Sequence, residues 1–318
     1  MYLKSSLHLK SRLIFHKFKI GTYPADLQRM KKLPMRSLLK HLVTTRFGKR
    51  LKMNKINHTL RDPNQPVAVP VPAATVLLVR DTEEGLQVFL MQRAKKTNFG
   101  GAWVFPGGKI DSSDNHSKYE SLSPKLSDAE ASSNLGINDG GLKYWVACIR
   151  ECFEECGVLL AYAEDEKNVV LENLNDQNFF DLRKKISIGE KSFYEFLNDN
   201  QLVLATDNVA YISHWVTPEI EKRRYSTRFF IAACPSHDAL HDGEENTASL
   251  WINPNLALEQ FEKGTLPMIM PTIQNLKLIS KFNTTKDLLI EMKNKNLIDI
   301  PVVEPKFEII NGEAKLVR

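Results

Sequence analysis

Three glutamates and an arginine lie close together near the middle of the chain and could bind a metal ion. They are Arg150, Glu151, Glu154 and Glu155. In a helix, residues spaced by three and four positions lie on the same side, so the three carboxylates would face one direction. Their mutual repulsion destabilises a helix unless a cation is present, and Mg²⁺ and Mn²⁺ prefer carboxylate oxygens. The spacing predicts a divalent-metal site, although taken alone it also fits a solvated helix face.

Two adjacent glycines precede this group in the chain. The stretch Phe105-Pro106-Gly107-Gly108 predicts a tight backbone turn where a side chain would obstruct a neighbouring group. Such a turn could bring the backbone close to the glutamates. The carbonyl oxygen of Gly108 would then complete their set of metal ligands.

Hydrophobic periodicity predicts the elements that must hold these residues. Residues 142–160 have apolar side chains on one side and the glutamates on another, which predicts a helix with one packed face and one face available for chemistry. Apolar runs at 73–80 and 86–93 predict two paired strands, followed by a short extended piece at 103–105. Further strands are predicted at 209–216, 227–234 and 248–252, helices at 254–262 and 271–282, and a hairpin at 307–317 around Asn311-Gly312.

The composition is that of an ordinary globular protein. Of 318 residues, 42% are hydrophobic and 25% are charged. No apolar run approaches the length of about 18 residues that a membrane span requires, so no span is predicted. Three of the four cysteines recur every fourth residue on one predicted helix, which favours core packing in a reducing compartment over a disulfide framework. They are Cys148, Cys152 and Cys156, and the fourth is Cys234.

The net charge of +5 is unevenly distributed. Residues 1–61 contain 16 lysines and arginines and one acid, Asp26, whereas the remainder contains 27 basic and 37 acidic residues. A basic, acid-poor and amphipathic leader is typical of a mitochondrial transit peptide. A solvated basic tail and a start codon placed too early are the alternatives. Because the body of the chain is acidic, the overall charge does not predict nucleic-acid binding.

Together, the glycine turn and the glutamate helix resemble the Nudix box, the signature of hydrolases that cleave a nucleoside diphosphate linked to another moiety. The family pattern is a glycine, five residues, a glutamate, seven residues and then Arg-Glu-apolar-x-Glu-Glu-x-Gly-apolar. Gly108 matches the first glycine, and residues 150–158 match the second half position by position. The resemblance implies an α/β fold, a Nudix α/β/α sandwich with a mixed β-sheet and helical insertions.

Two features depart from the family pattern. Asp114 stands where the family has its first glutamate, and 35 residues rather than seven separate it from Arg150, an insertion of 28. The site can tolerate the insertion because loop closure costs only about 0.6 kcal/mol more for each doubling of loop length. Asp111, or another acid within the loop, is the alternative occupant of the first acidic position.

The resemblance implies a hydrolase that uses Mg²⁺ or Mn²⁺. A diphosphate repels an attacking water, and bound cations would clamp the diphosphate and lower the pKa of a bound water. The implied metal ligands are Gly108, Glu151, Glu154 and Glu155. Arg150 would hold one of these carboxylates through a bidentate pair. Later acids often assist in this family, and Glu245 is our candidate ahead of Glu244.

Two later segments sharpen the resemblance to one branch of the family. Residues 225–230 (YSTRFF) and 241–245 (HDGEE) resemble the nucleoside diphosphate-linked moiety X motif 19 type, which is associated with acyl-CoA diphosphatase activity. This implies hydrolysis of CoA or acyl-CoA to 3′,5′-ADP and (acyl-)phosphopantetheine. The implied substrate-binding residues are Arg93, Gly101, Gly107 and Arg228. A second arginine that CoA-cleaving members carry upstream of the box is absent here, and Lys95 or Lys96 could replace its charge.

Other functions remain open at this stage. The substrate could be NADH, ADP-ribose or capped RNA, or the chain could be a Nudix-fold binding module without catalysis. The branch also implies a peroxisomal location as an alternative to a mitochondrial or cytoplasmic one, and the oligomeric state is not predicted. The predicted organisation is a leader at 1–61, a proline-rich linker at 62–72, a Nudix domain at 73–295 and a C-terminal extension at 296–318. Within the Nudix domain we predict a polar loop insertion at 112–141, with one short helical turn near 126–134, and a helical insertion at 164–206.

Overall fold

The computed structural model describes residues 56, 59–115, 117–163, 177–235, 239–243, 245–310 and 313–317. Most of the predicted leader lies outside these residues, as do Glu244 and the predicted hairpin turn at 311–312. None of the described helices is long and apolar enough to cross a lipid bilayer.

Twelve strands and seven α-helices are found in the described part of the chain. The strands are β1 Val71–Thr82, β2 Gly85–Arg93, β3 Trp103–Val104, β4 Gly107–Lys109, β5 Ala161–Tyr162, β6 Val203–Leu204, β7 Val209–Val216, β8 Tyr225–Ala233, β9 Asn246–Ile252, β10 Val302–Val303, β11 Phe307–Ile310 and β12 Glu313–Leu316. The helices are α1 Asp128–Leu135, α2 Leu142–Cys156, α3 Gln177–Ser187, α4 Phe193–Asp199, α5 Pro254–Glu262, α6 Met270–Ile279 and α7 Thr285–Lys293.

Eight of these strands form one mixed sheet. Six follow one another in the order β10-β7-β8-β1-β2-β3, while β4 pairs with the first half of β1 and β9 pairs with β2. The β1–β8 and β10–β7 pairs are parallel and the others are antiparallel. β1 is buried from Ala73 to Val79, as expected for an apolar run in the middle of a sheet that is covered on both faces.

Helices cover both faces of this sheet, so the predicted α/β/α sandwich with a mixed sheet is confirmed. Helix α2 packs on the face that carries Val76 and Phe230. Helices α5, α6 and α7 pack on the face that carries Leu77 and Ile231. Burial of each large apolar side chain stabilises the fold by roughly 1.5–3 kcal/mol, which makes these two layers the main source of stability.

Most predicted elements lie where the sequence places them. β7 and α5 have the predicted bounds, and β1, β2, β8 and β9 differ by at most two residues at either end. β11 and β12 pair antiparallel, as predicted for a hairpin. Helix α2 ends at Cys156, earlier than predicted, because Gly157 takes the left-handed conformation with a φ of 73° that terminates helices.

The segment predicted as a polar loop, residues 112–141, has more regular structure than expected. It contains two 3-10 turns and the eight-residue helix α1. Ser127 and Glu130 form a capping box at the start of α1, and the sequence Ser-Asp-Ala-Glu is the signal that predicts it. Asp128 accepts the backbone N–H groups of Gly140 and Leu142 at 2.9 Å each, which ties the insertion to the start of α2.

The predicted helical insertion is described from residue 177 onward and contains α3 and α4. Phe193 and Phe196 of α4 stack on Phe153 of α2, with ring centroids 6.2 and 5.2 Å apart. Arg183 of α3 donates to the backbone carbonyl of Glu154 from two nitrogens, at 3.1 and 2.8 Å. Carbonyls in the last turn of a helix have no partner within the helix, so Arg183 stabilises the end of α2.

The end of the predicted leader is joined to the folded domain. The backbone N–H of Arg61 donates to the carbonyl of Ile220, and the N–H of Lys222 donates to the carbonyl of Thr59, both at 2.8 Å. Leu60 forms a bridge with Glu221 between these bonds. The predicted boundary at residue 61 therefore falls inside a hydrogen-bonded segment that borders the loop after β7.

Candidate functional site

Helix α2 and strand β4 bring the two halves of the box together. The buried apolar side of α2 fixes the helix against β1, and this places the glutamates of its last two turns beside the glycines of β4. Gly107 and Gly108 pair with Thr75 and Ala74 of β1, so the position of the turn is set by the sheet register. The two halves that the sequence separates by a long spacer are thus adjacent in space.

Arg150 is the centre of the hydrogen-bond network. Its Nε and one terminal nitrogen donate to the two carboxylate oxygens of Asp114 at 2.8 and 3.0 Å. Its other terminal nitrogen donates to Glu151 and Glu154 at 3.1 Å each. The prediction that Arg150 forms its bidentate pair with one of the metal-site glutamates is therefore wrong, because the fork of the guanidinium is occupied by Asp114.

Asp114 rather than Asp111 occupies the position beside the arginine. The Asp114 side chain is fully buried and also accepts the backbone N–H of Asp111 at 2.7 Å. This bond closes the 3-10 turn Ser112–Asn115, which directs the Asp114 carboxylate inward. Asp111 instead lines the large cavity described below. Of these two candidates, Asp114 is the one whose carboxylate is hydrogen-bonded to Arg150.

Glu155 is held by different donors from the other two glutamates. It accepts the backbone N–H of Gly107 at 2.7 Å and the side-chain N–H of Asn246 at 3.4 Å. Asn246 is completely buried at the start of β9 and its own backbone N–H donates to Asp242 at 3.1 Å. Sequence analysis did not single out Asn246. Its only signal is its position directly after the acidic segment 242–245.

The two glycines of β4 leave no room for side chains. A Cβ atom at Gly108 would overlap the Glu151 carboxylate, and one at Gly107 would lie within 2.5 Å of the carbonyl oxygen of Ala74. The predicted reason for the glycine pair is therefore correct: the backbone passes directly beside the glutamates. The close approach also places the peptide group of Gly108 against Glu151.

The cluster carries more negative than positive charge. Arg150 contacts three carboxylates, those of Asp114, Glu151 and Glu154, while Glu155 lies near Glu151 and adds a fourth negative charge. Burial raises the pKa of Glu151 to about 7, and burial also raises the pKa of Glu154 and that of Glu155 well above its usual range. A divalent cation would offset this excess charge, and an all-oxygen donor set fits Mg²⁺ or Mn²⁺.

The carboxylates are nevertheless engaged by protein donors. Within the described ranges, no three carboxylate, imidazole or thiol side chains already form a metal cage. Arg150 and the Gly107 N–H hold the glutamates instead. The three cysteines of α2, Cys148, Cys152 and Cys156, are buried free thiols that pack in the core, as predicted.

We expect stabilisation by Mg²⁺ to increase between pH 5 and pH 8. Because the pKa of Glu151 is raised from 4.5 in the unfolded chain to about 7 in the folded protein, the metal-free folded state binds extra protons in this interval. Its free energy of unfolding therefore decreases as pH rises through the interval. A cation must displace the same protons at low pH but not at high pH. Thermal unfolding with 5 mM EDTA or roughly 5 mM MgCl₂ at each pH measures the difference. A shift in Tm that is independent of pH would contradict this expectation.

The other predicted site residues divide into two groups. Arg93, Gly107 and Glu245 line the cavity next to the box. Gly101 does not line it, but its φ of 85° and its N–H bond to the carbonyl of Arg93 at 2.9 Å shape the loop that precedes the box. Arg228 does not reach the cavity. It alternates along β8 with cavity-lining residues, so it points to the opposite face, where it lies over the Tyr144 ring at 4.2 Å.

The cavity has a volume of about 1790 Å³ and opens beside the box glutamates. Arg93 and Lys109 place positive charges at this end, and Nε of Arg93 is held by the carbonyl of Asn98 at 3.1 Å. From there the cavity extends over the β8 and β7 strands toward the first turn of α6. Ligand pockets are typically about 300–1,000 Å³, so this cavity accommodates a large and elongated molecule.

Comparison with known proteins agrees with this geometry. Residues 128–279 match the family model described as NUDT19 Nudix domain. The chain is 28% identical over 244 residues to acyl-coenzyme A diphosphatase NUDT19 of Xenopus laevis, covering 66% of this chain and 64% of that protein. It is 24% identical over 211 residues to putative nudix hydrolase 7 of Caenorhabditis elegans, covering 66% of this chain and 60% of that protein. The chain thus spans less than two thirds of the length of either relative.

A solved structure supports the fold independently of the sequence match. The NUDIX hydrolase from Alicyclobacillus acidocaldarius superposes with a TM-score of 0.60 at 22% identity, covering 73% of this chain and all of that one. Its sheet architecture is therefore shared. The box geometry and these sequence likenesses together support a Nudix hydrolase that is similar to the NUDT19 type.

Proposed function

We propose that the protein hydrolyses the diphosphate linkage of CoA or acyl-CoA, using Mg²⁺ or Mn²⁺, and releases 3′,5′-ADP and (acyl-)phosphopantetheine. The observation that carries the proposal is the placement of Glu151, Glu154 and Glu155 at one end of a cavity of about 1790 Å³. A small diphosphate would need only the end beside the box. The remaining volume fits a substrate with long groups on the diphosphate, and the relatives named acyl-coenzyme A diphosphatase support the same substrate class.

The metal would be held by the three glutamates and the carbonyl oxygen of Gly108. When bound, it supplies positive charge to the diphosphate and lowers the pKa of a coordinated water. Arg150 keeps Glu151 and Glu154 from turning away, because it bonds to both while Asp114 anchors it. Asn246 and the Gly107 N–H hold Glu155 in the same way.

The remaining polar residues at this end of the cavity would bind and orient the substrate. Arg93 and Lys109 carry the positive charge that would attract the phosphate groups of CoA. Glu245 is exposed, lines the cavity and is anchored by its backbone, since its carbonyl accepts the N–H of Ala94 at 2.9 Å. In this proposal Glu245 would accept a proton from the attacking water.

A substrate panel tests the proposal. The full-length protein is incubated with free CoA, octanoyl-CoA, NADH, ADP-ribose and capped RNA, each with MgCl₂, with MnCl₂ and with EDTA, and the products are separated by chromatography. We expect metal-dependent release of 3′,5′-ADP from both CoA species and a kcat/KM at least tenfold higher than for the other substrates. Preferred cleavage of NADH, ADP-ribose or capped RNA would overturn the substrate assignment. Absence of hydrolysis and of metal binding would identify a binding module instead.

A further inference from the structure

The cavity has an apolar half whose floor is set by the sheet register. Four residues that line the cavity are neighbours in register across four adjacent strands. In order they are Lys109 of β4, Ala73 of β1, Thr227 of β8 and Trp215 of β7. Neighbouring strands are about 4.8 Å apart, so this row carries the cavity about 14 Å away from the box turn. The row begins at a lysine beside the box and ends at a tryptophan.

Apolar side chains enclose the end of this row. Phe229 lies beside Trp215 on the same face of the sheet. Met268 lines the cavity from the segment before α6, and Met270 and Ile273 line it from the start of α6. Two cationic side chains that line the cavity, Arg93 and Lys109, lie at the box end.

Two segments from opposite ends of the chain contribute to the far wall. Ile56, which precedes the hydrogen-bonded residues 59–61 in the sequence, lines the cavity. Phe307 lines it from the start of β11 in the C-terminal hairpin. Both residues lie outside the range 128–279 that matches the family model. The far wall is thus made by parts of this chain that do not belong to the box.

We propose that this apolar half binds the acyl chain of an acyl-CoA, and that Ile56 and Phe307 set the preference for acylated over free CoA. The inference rests on the proposed function. With the diphosphate at the box, the acyl group must bind at a distance, because the whole pantetheine arm separates it from the diphosphate. The apolar side chains of the far end suit an acyl chain better than the charged 3′-phosphate half of CoA, because a charged group loses its hydration there. Arg93 and Lys109 at the box end suit the phosphate groups instead.

The ratio of kcat/KM for octanoyl-CoA to kcat/KM for free CoA tests this inference. We compare the full-length protein with its Phe307→Ser and Ile56→Ser variants at saturating MgCl₂. Each variant is expected to lower the ratio about tenfold, the loss that follows when roughly two methylene groups of the acyl chain lose their apolar contact. Val302→Ser is the matched control, because Val302 lies in the same C-terminal region but is 65% exposed and does not line the cavity.

The outcomes separate the inference from the function on which it rests. A ratio within twofold of wild type in both variants, with CoA hydrolysis intact, would overturn the inference and leave the proposed function standing. An equal fall in the Val302→Ser control would also overturn it, because the effect would not be specific to the cavity. If the wild-type protein cleaves no CoA species at all, both the proposed function and this inference are overturned. Thermal unfolding of each variant confirms that the fold is retained.

Discussion

Replacing Glu155 by glutamine should lower kcat by about two to three orders of magnitude while the fold persists. In the proposed reaction Glu155 would hold the metal, and loss of one such carboxylate removes several kcal/mol of transition-state stabilisation, which corresponds to a factor of that size. The protein should not lose stability, because burial already disfavours the charged form of Glu155. The glutamine oxygen can still accept the Gly107 N–H, and its amide N–H can donate to the side-chain oxygen of Asn246, which has no hydrogen-bond partner among the described residues.

Steady-state hydrolysis of CoA and thermal unfolding, measured on the same preparations, check this result. Glu154→Gln is expected to have an effect of similar size on kcat. Glu308→Gln is the matched control, because Glu308 is an exposed residue of the C-terminal hairpin away from the box. Turnover within threefold of wild type in Glu155→Gln would show that this carboxylate does not act in the reaction. A collapse of Tm in the same variant would show that its role is structural.

Replacing Arg150 by methionine should lower the free energy of unfolding by about 3–5 kcal/mol. The substitution leaves the Asp114 carboxylate buried without its partner, and breaking a buried pair from one side costs about this much. Chemical denaturation in EDTA measures the change without any contribution from bound metal. Adding Asp114→Asn to the Arg150→Met variant should recover part of the loss, because the buried charge is then removed.

An exposed ion pair provides the comparison for Arg150. Lys263 and Glu259 also form an i, i+4 pair, but both side chains are more than half exposed. Lys263→Met should change the free energy of unfolding by about 0.5 kcal/mol or less, since solvent screens exposed pairs. If Arg150→Met were equally mild, the network around Asp114 would not be a significant source of stability.

The elements of the fold could largely be predicted from local patterns. The apolar run of β1, the strand-forming residues of β7 and the proline at the start of α5 each act within a few residues. The sequence alone therefore placed these elements within two residues of their observed bounds. The insertion at 112–141 was underestimated. Its helix α1 depends on the capping box of Ser127 and Glu130, a four-residue signal inside a stretch whose composition suggests a loop.

The partners within the site could not be predicted, because they depend on residues far apart in the chain. Arg150 forms its bidentate pair with Asp114 because the 3-10 turn at 112–115 directs that carboxylate inward, and it bonds Glu151 and Glu154 through its remaining nitrogen. Asn246 reaches Glu155 only through the pairing of β9 with β2, and Arg228 is turned away from the cavity by strand alternation. None of these facts is contained in the spacing of the box.

The sequence by itself determined the chemistry of this protein: the glycine pair, the arginine and the three glutamates that could hold a cation. The fixed helical period places the three glutamates on one side whatever surrounds them. Tertiary structure alone decided which acid pairs with Arg150, which residues support Glu155 and how the cavity is built. These outcomes follow from sheet register and burial, which join distant residues, including Ile56 and Phe307 from opposite ends of the chain, in one wall.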